Sequence, residues 1–97
     1  MAIPGAGLER FLVEWYGPDA HAHSINETAG HLNDSATSVA ARGSQIRLLM
    51  ALAVPEDEYA FGIFAAESAE TVARVCLDAG APAERISAVI GWPVTFD

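Results

Sequence analysis

The chain has no lysine, and its basic residues are five scattered arginines: Arg10, Arg42, Arg47, Arg74 and Arg85. Phosphate backbones and anionic lipid surfaces are gripped by clustered cations, so neither nucleic acid nor a membrane is an expected partner. There is one cysteine, Cys76, which excludes an intrachain disulfide and a cysteine-based zinc cage. No apolar run reaches the length of a membrane span. Met1–Gly7 has neither the basic head nor the apolar core of a signal peptide, so the expected compartment is the cytoplasm. Several catalytic signatures are missing too: no phosphate-binding loop, no dinucleotide-binding glycine fingerprint, no His-Glu-x-x-His and no nucleophile elbow.

What remains is short and apolar. With 97 residues, one domain is expected: a flexible segment over 1–7 and a single folded unit over 8–97. A chain of this size hides roughly two thirds of its unfolded surface on folding, so its core is thin. Hydrophobic residues make up 52% of the sequence, enough to leave an apolar face uncovered and to suggest self-association. Thirteen acidic residues against five basic give a net charge of −8, which favours solubility without selecting a ligand.

Alternation and periodicity divide the chain into six elements. Leu8–Tyr16 reads as a strand with Phe11, Val13 and Trp15 on one face and Arg10, Leu12, Glu14 and Tyr16 on the other. Ser24-Ile25-Asn26-Glu27 has the form of a capping box, and Ile25, Ala29, Leu32, Ala36, Val39 and Ala40 then trace one helical stripe up to Gly43. Gln45–Val54 is a strand apolar on both faces, Pro55–Glu58 a polar turn, and Tyr59–Ala65 a third strand. Ser68 caps a second helix with Ala69, Val72, Ala73, Cys76 and Ala79 on its apolar side; Gly80 and Pro82 end it. Ala83-Glu84-Arg85 suits one further helical turn, and Ile86–Trp92 a last strand.

Strand, helix, strand, strand, helix, strand is the split βαβ order, so the expected fold is α+β: a ferredoxin-like βαββαβ unit. Its four-stranded antiparallel sheet carries both helices on one face. The other face is left bare yet apolar. Pairing two sheets face to face, as an α+β barrel homodimer, is the simplest way to cover it.

Several segments resemble the bacterial family known as domain of unknown function 4242. They are Phe11-Leu12-Val13-Glu14, the turn Val54-Pro55-Glu56-Asp57-Glu58, Phe61 and Phe64, Ser68-Ala69-Glu70-Thr71-Val72, and Ala79 through Ile86. The resemblance runs from about Arg10 to Ile90. It implies a ferredoxin-like fold, dimerisation through the sheet and, because a related bacterial protein binds nickel through histidines, a nickel or other divalent transition-metal site. Positions where relatives carry cysteine in the third strand and glutamate before the second helix read Ala60, Gly62 and Ala65 here.

Two constellations could carry chemistry. His21-Ala22-His23 sets two imidazoles in one loop, with His31 following on the helix; imidazole suits nickel, zinc and copper. On the helical wheel His31 falls with Glu27, Asp34 and Ser38, so it also reads as a solvated surface residue. The second constellation is Glu14 with Arg10, Tyr16, Arg47 and Tyr59. A mid-strand carboxylate on a covered face is costly unless paired, so Glu14 reads either as half of a structural ion pair or as a general base. In the second case Arg47 or Tyr59 would stabilise developing negative charge. The function these residues point to is a small dimeric metal-binding or small-ligand-binding protein. The alternative is a cofactor-independent enzyme that takes a hydrophobic small molecule between the sheets.

Overall fold

A computed structural model describes residues 8–17 and 22–90, the side chains of 22–24 excepted. The elements run β1 (Glu9–Tyr16), α1 (Ala22–Ala41), β2 (Ile46–Val54), a 3-10 turn (Pro55–Asp57), β3 (Tyr59–Ala66), α2 (Ala69–Asp78) and β4 (Arg85–Val89). The sheet order is β2-β3-β1-β4, with every neighbouring pair antiparallel. Each helix thus bridges two strands with a third lying between them, which is the ferredoxin-like arrangement.

One face of the sheet packs on the helices. Phe11, Val13 and Trp15 of β1 meet Phe64, Gly62 and Ala60 of β3 across the ladder. Leu32, Ala36 and Val39 of α1 and Val72, Val75 and Cys76 of α2 close over them, all buried. Gly62 lies beneath the Trp15 indole: a Cβ there would stand 3.4 Å from the ring. The indole in turn donates from Nε1 to the Ala81 carbonyl at 2.9 Å. That carbonyl is positioned by the end of α2, where Gly80 adopts φ 78 and the N–H groups of Gly80 and Ala81 reach back to the carbonyls of Leu77 and Cys76.

Three local expectations are corrected. Helix α1 begins at Ala22, so Ser24 is its third residue rather than its cap. Helix α2 is capped by Ser68, whose side chain accepts from the Thr71 N–H at 3.2 Å, but its buried side is Thr71, Val72, Val75 and Cys76; Ala69 and Ala73 are exposed. Those two alanines fall on the solvent side of the helix, while Val72, Val75 and Cys76 face the core. Ala83-Glu84-Arg85 is not helical: the Glu84 N–H donates to the Glu14 carbonyl at 3.0 Å, and Arg85 already opens β4. Strand β2 carries an extra residue at Leu49, where the register shifts between Leu48 and Met50. Ile46 and Leu48 therefore share the helix face with Ala51 and Ala53, while Met50, Leu52 and Val54 share the other with Arg47. Residues 1–7 and the expected end of β4 through Trp92 lie outside the described residues.

Candidate functional site

The face away from the helices is apolar in the middle, with Glu14 towards one end and Arg10 and Arg47 towards the other. In β1, Leu12, Glu14 and Tyr16 alternate with the core residues, and the register sets them opposite Ile63, Phe61 and Tyr59 of β3. Leu52 of β2 continues the row beyond Phe61 and is 48% exposed; Met50 lies beyond Ile63. Among the described residues no helix lies over these side chains.

Glu14, Tyr16, Phe61 and Tyr59 form a two-by-two square at the corner. Residues two apart on a strand share a face, and those directly opposite are close neighbours, so this contact follows from pairing alone. The Tyr16 hydroxyl donates to Glu14 Oε1 at 2.7 Å, and the Tyr59 hydroxyl reaches the same oxygen at 3.3 Å. The Tyr16 and Tyr59 rings stack with centroids 5.6 Å apart, and Phe61 follows Tyr59 at 5.7 Å in a tilted arrangement. A carboxylate is thus edged by a ladder of three rings. Glu14 is largely covered, its side chain retaining 14% of its exposure.

Both phenols are held above their ordinary value near 10. For Tyr16 the main cause is the hydrogen bond to Glu14, followed by burial. For Tyr59 burial leads, followed by the negative charge of Glu14. Both rings are therefore neutral hydrogen-bond donors near neutral pH.

The cation beside Glu14 is Arg85, directly across the ladder in β4, with Nε 3.7 Å from Glu14 Oε2. Arg85 Nε also donates to Ser87 Oγ at 3.3 Å. The backbone around this corner is pinned from the same side, since Glu84 accepts the Tyr16 N–H through its carboxylate. Of the residues expected to act together, the fold brings together Glu14, Tyr16 and Tyr59. Arg10 and Arg47 lie elsewhere on the face: both align with Ala65, four residues along β3 from Phe61, or roughly 13 Å at the usual strand rise. Arg85 and Phe61 were not among the expected site residues. The strand order puts β4 beside β1, which would have pointed to Arg85 once the start of β4 was known; the register is not written in either strand alone.

The histidines are a separate matter. His31 is exposed on α1 and borders an open polar groove with Asp34, Ser38, Arg42 and Asp78. His21 and the side chain of His23 lie outside the described residues. Among the described residues no group of three or more His, Cys, Asp or Glu side chains could hold a metal ion. Cys76 is fully buried, and burial pushes its thiol up to about 12, so it is no thiolate ligand or nucleophile in the folded chain. Among the described residues no helix is long and apolar enough to cross a membrane.

No protein-family model and no curated protein matches the chain. Among solved structures, the chain is similar to SCO4226 from Streptomyces coelicolor A3(2), with 22% identity and a TM-score of 0.63. The match covers 82% of this chain and 94% of that one. At this level of identity the likeness establishes the fold.

Proposed function

We propose that this chain is a small-ligand-binding protein that works as a homodimer, its open sheet faces packed together and the ligand held at the Glu14 corner. The observation that carries this reading is a mostly covered carboxylate, clamped by two phenols, at the edge of an apolar face that no element of the described chain covers. Binding sites of this kind are apolar surfaces with a few convergent polar groups. The resemblance to domain of unknown function 4242 is in keeping with the sheet-to-sheet pairing.

A second reading is supported by the same corner: a cofactor-independent enzyme in which Glu14 takes a proton from a bound hydrophobic molecule. Tyr59 supports it as a neutral donor within reach of the site. In that reading Arg85, rather than the more distant Arg47, would balance the developing negative charge. Binding of nickel or another divalent transition metal is a further proposal, resting on the His21–His23 pair and the family resemblance alone.

The test is an amide NMR spectrum recorded with a panel of small uncharged aromatics. Shifts gathered on β1 and β3 around Glu14 and Phe61, with none on α1, are expected. An unperturbed spectrum at millimolar ligand would contradict the proposal. Titration with Ni²⁺ by calorimetry tests the metal separately: tight binding abolished by replacing His21 and His23 with alanine supports it, and no heat of binding rejects it.

A further inference from the structure

The two oxygens of Glu14 are used unequally. Oε1 accepts from both phenols, at 2.7 and 3.3 Å. Oε2 has Arg85 Nε as its neighbour at 3.7 Å, which is ion-pair distance and too long for a hydrogen bond. A carboxylate has about four lone-pair sites, so Oε2 retains acceptor capacity that the described residues leave open. The Glu14 side chain is 14% exposed, and Oε2 is not among the fully buried atoms that lack a partner. A ligand that donates a hydrogen bond to Oε2 would use that capacity.

The surroundings narrow what could supply that donor. The Tyr16, Tyr59 and Phe61 rings offer a π surface beside the oxygen, and aromatic groups pack best on offset or tilted rings. An anionic ligand would meet the Glu14 carboxylate in a chain of net charge −8. A cationic one would compete with Arg85 for the same oxygen. A neutral O–H avoids both conflicts. We infer that the ligand class of this face is a flat, uncharged aromatic alcohol, lying on the Tyr16–Tyr59–Phe61 ladder and donating its hydroxyl to Glu14 Oε2. This inference rests on the small-ligand reading above and gives it a chemical class.

The experiment compares 2-naphthol with 2-methoxynaphthalene, which has the same rings and no donor, by NMR titration at neutral pH. The native protein should bind 2-naphthol about tenfold or more tightly, as expected for losing a hydrogen bond to a charged group. Glu14→Gln should remove most of that preference while still binding both probes. Because the first comparison uses the unaltered protein, it stands even if the variant folds poorly. Equal affinity for the two probes would overturn the hydroxyl-donor class while leaving small-ligand binding intact. Tighter binding of 2-naphthoate than of 2-naphthol would overturn it in favour of Arg85 as the recognition group. If none of the three probes binds, the small-ligand reading falls and this inference with it.

Discussion

Val13 and Glu14 are consecutive residues of β1, yet they sit in different surroundings. Val13 has no exposure and lies in the core beneath the two helices. Glu14 stands on the opposite face, held by two phenols and an arginine instead of by packing. The same contrast runs through β3, where Phe64 is fully buried and Phe61, three residues earlier, is half-buried. The helix face is fixed by apolar volume, where the requirement is close packing. The open face is fixed by hydrogen bonds and ring stacking around one charge. Stability should therefore reside on one side of the sheet and recognition on the other.

The largest expected effect is on stability. Phe64→Ala should cost about 3–5 kcal/mol, the usual penalty for emptying a buried aromatic site, as measured by urea unfolding. Phe61→Ala should cost about 1–2 kcal/mol by the area its half-buried ring covers, while weakening ligand binding. Equal losses at the two positions would break the comparison. A smaller effect is expected at the end of α2. Gly80→Ala should destabilise by about 1 kcal/mol because φ 78 is unfavourable for a residue with a Cβ. It should also loosen the Ala81 carbonyl that receives the Trp15 indole, visible as a shift in tryptophan fluorescence.

The finest test is a titration. The sequence has two tyrosines, and both belong to the corner, so phenol absorbance reports on the site alone. Both should ionise above the ordinary value near 10. In Glu14→Gln both should move back toward it, Tyr16 the more, because Glu14 is the leading cause of its shift whereas burial leads for Tyr59. The sign for stability follows. Below pH 10 the phenols are neutral in folded and unfolded chains alike. Above it the unfolded chain ionises first, so stability falls with rising pH until the folded phenols ionise too.

The fold was legible because its two periods are clean. Phe11, Val13 and Trp15 alternate with Leu12, Glu14 and Tyr16 without interruption, and Leu32, Ala36 and Val39 keep to one helical stripe. Ser68 and Gly80 marked the ends of α2 through capping chemistry that is local to the chain. The site was legible in part. Glu14 stood out as a charge in mid-strand, and Tyr16 came with it two residues on. Tyr59 was reachable through the hairpin order. Arg85 reads locally as part of a helical turn, since nothing local shows that β4 pairs with β1 and recruits it into the ladder. Arg47 was matched to Glu14 by charge, and only the register, including the extra residue at Leu49, sets it at the far end of the face. Long-range pairing decides these contacts, and short-range pattern does not encode it.

In the proposed function the open face is an interface as well as a site. Leu52, 48% exposed in the row beside Glu14 and Phe61, is the residue to challenge. Sedimentation equilibrium at tens of micromolar should give the mass of two chains for the native protein. Leu52→Glu should give the mass of one with its helical circular dichroism unchanged. A native protein that sediments as a single chain of 10.2 kDa at these concentrations would contradict the sheet-to-sheet dimer.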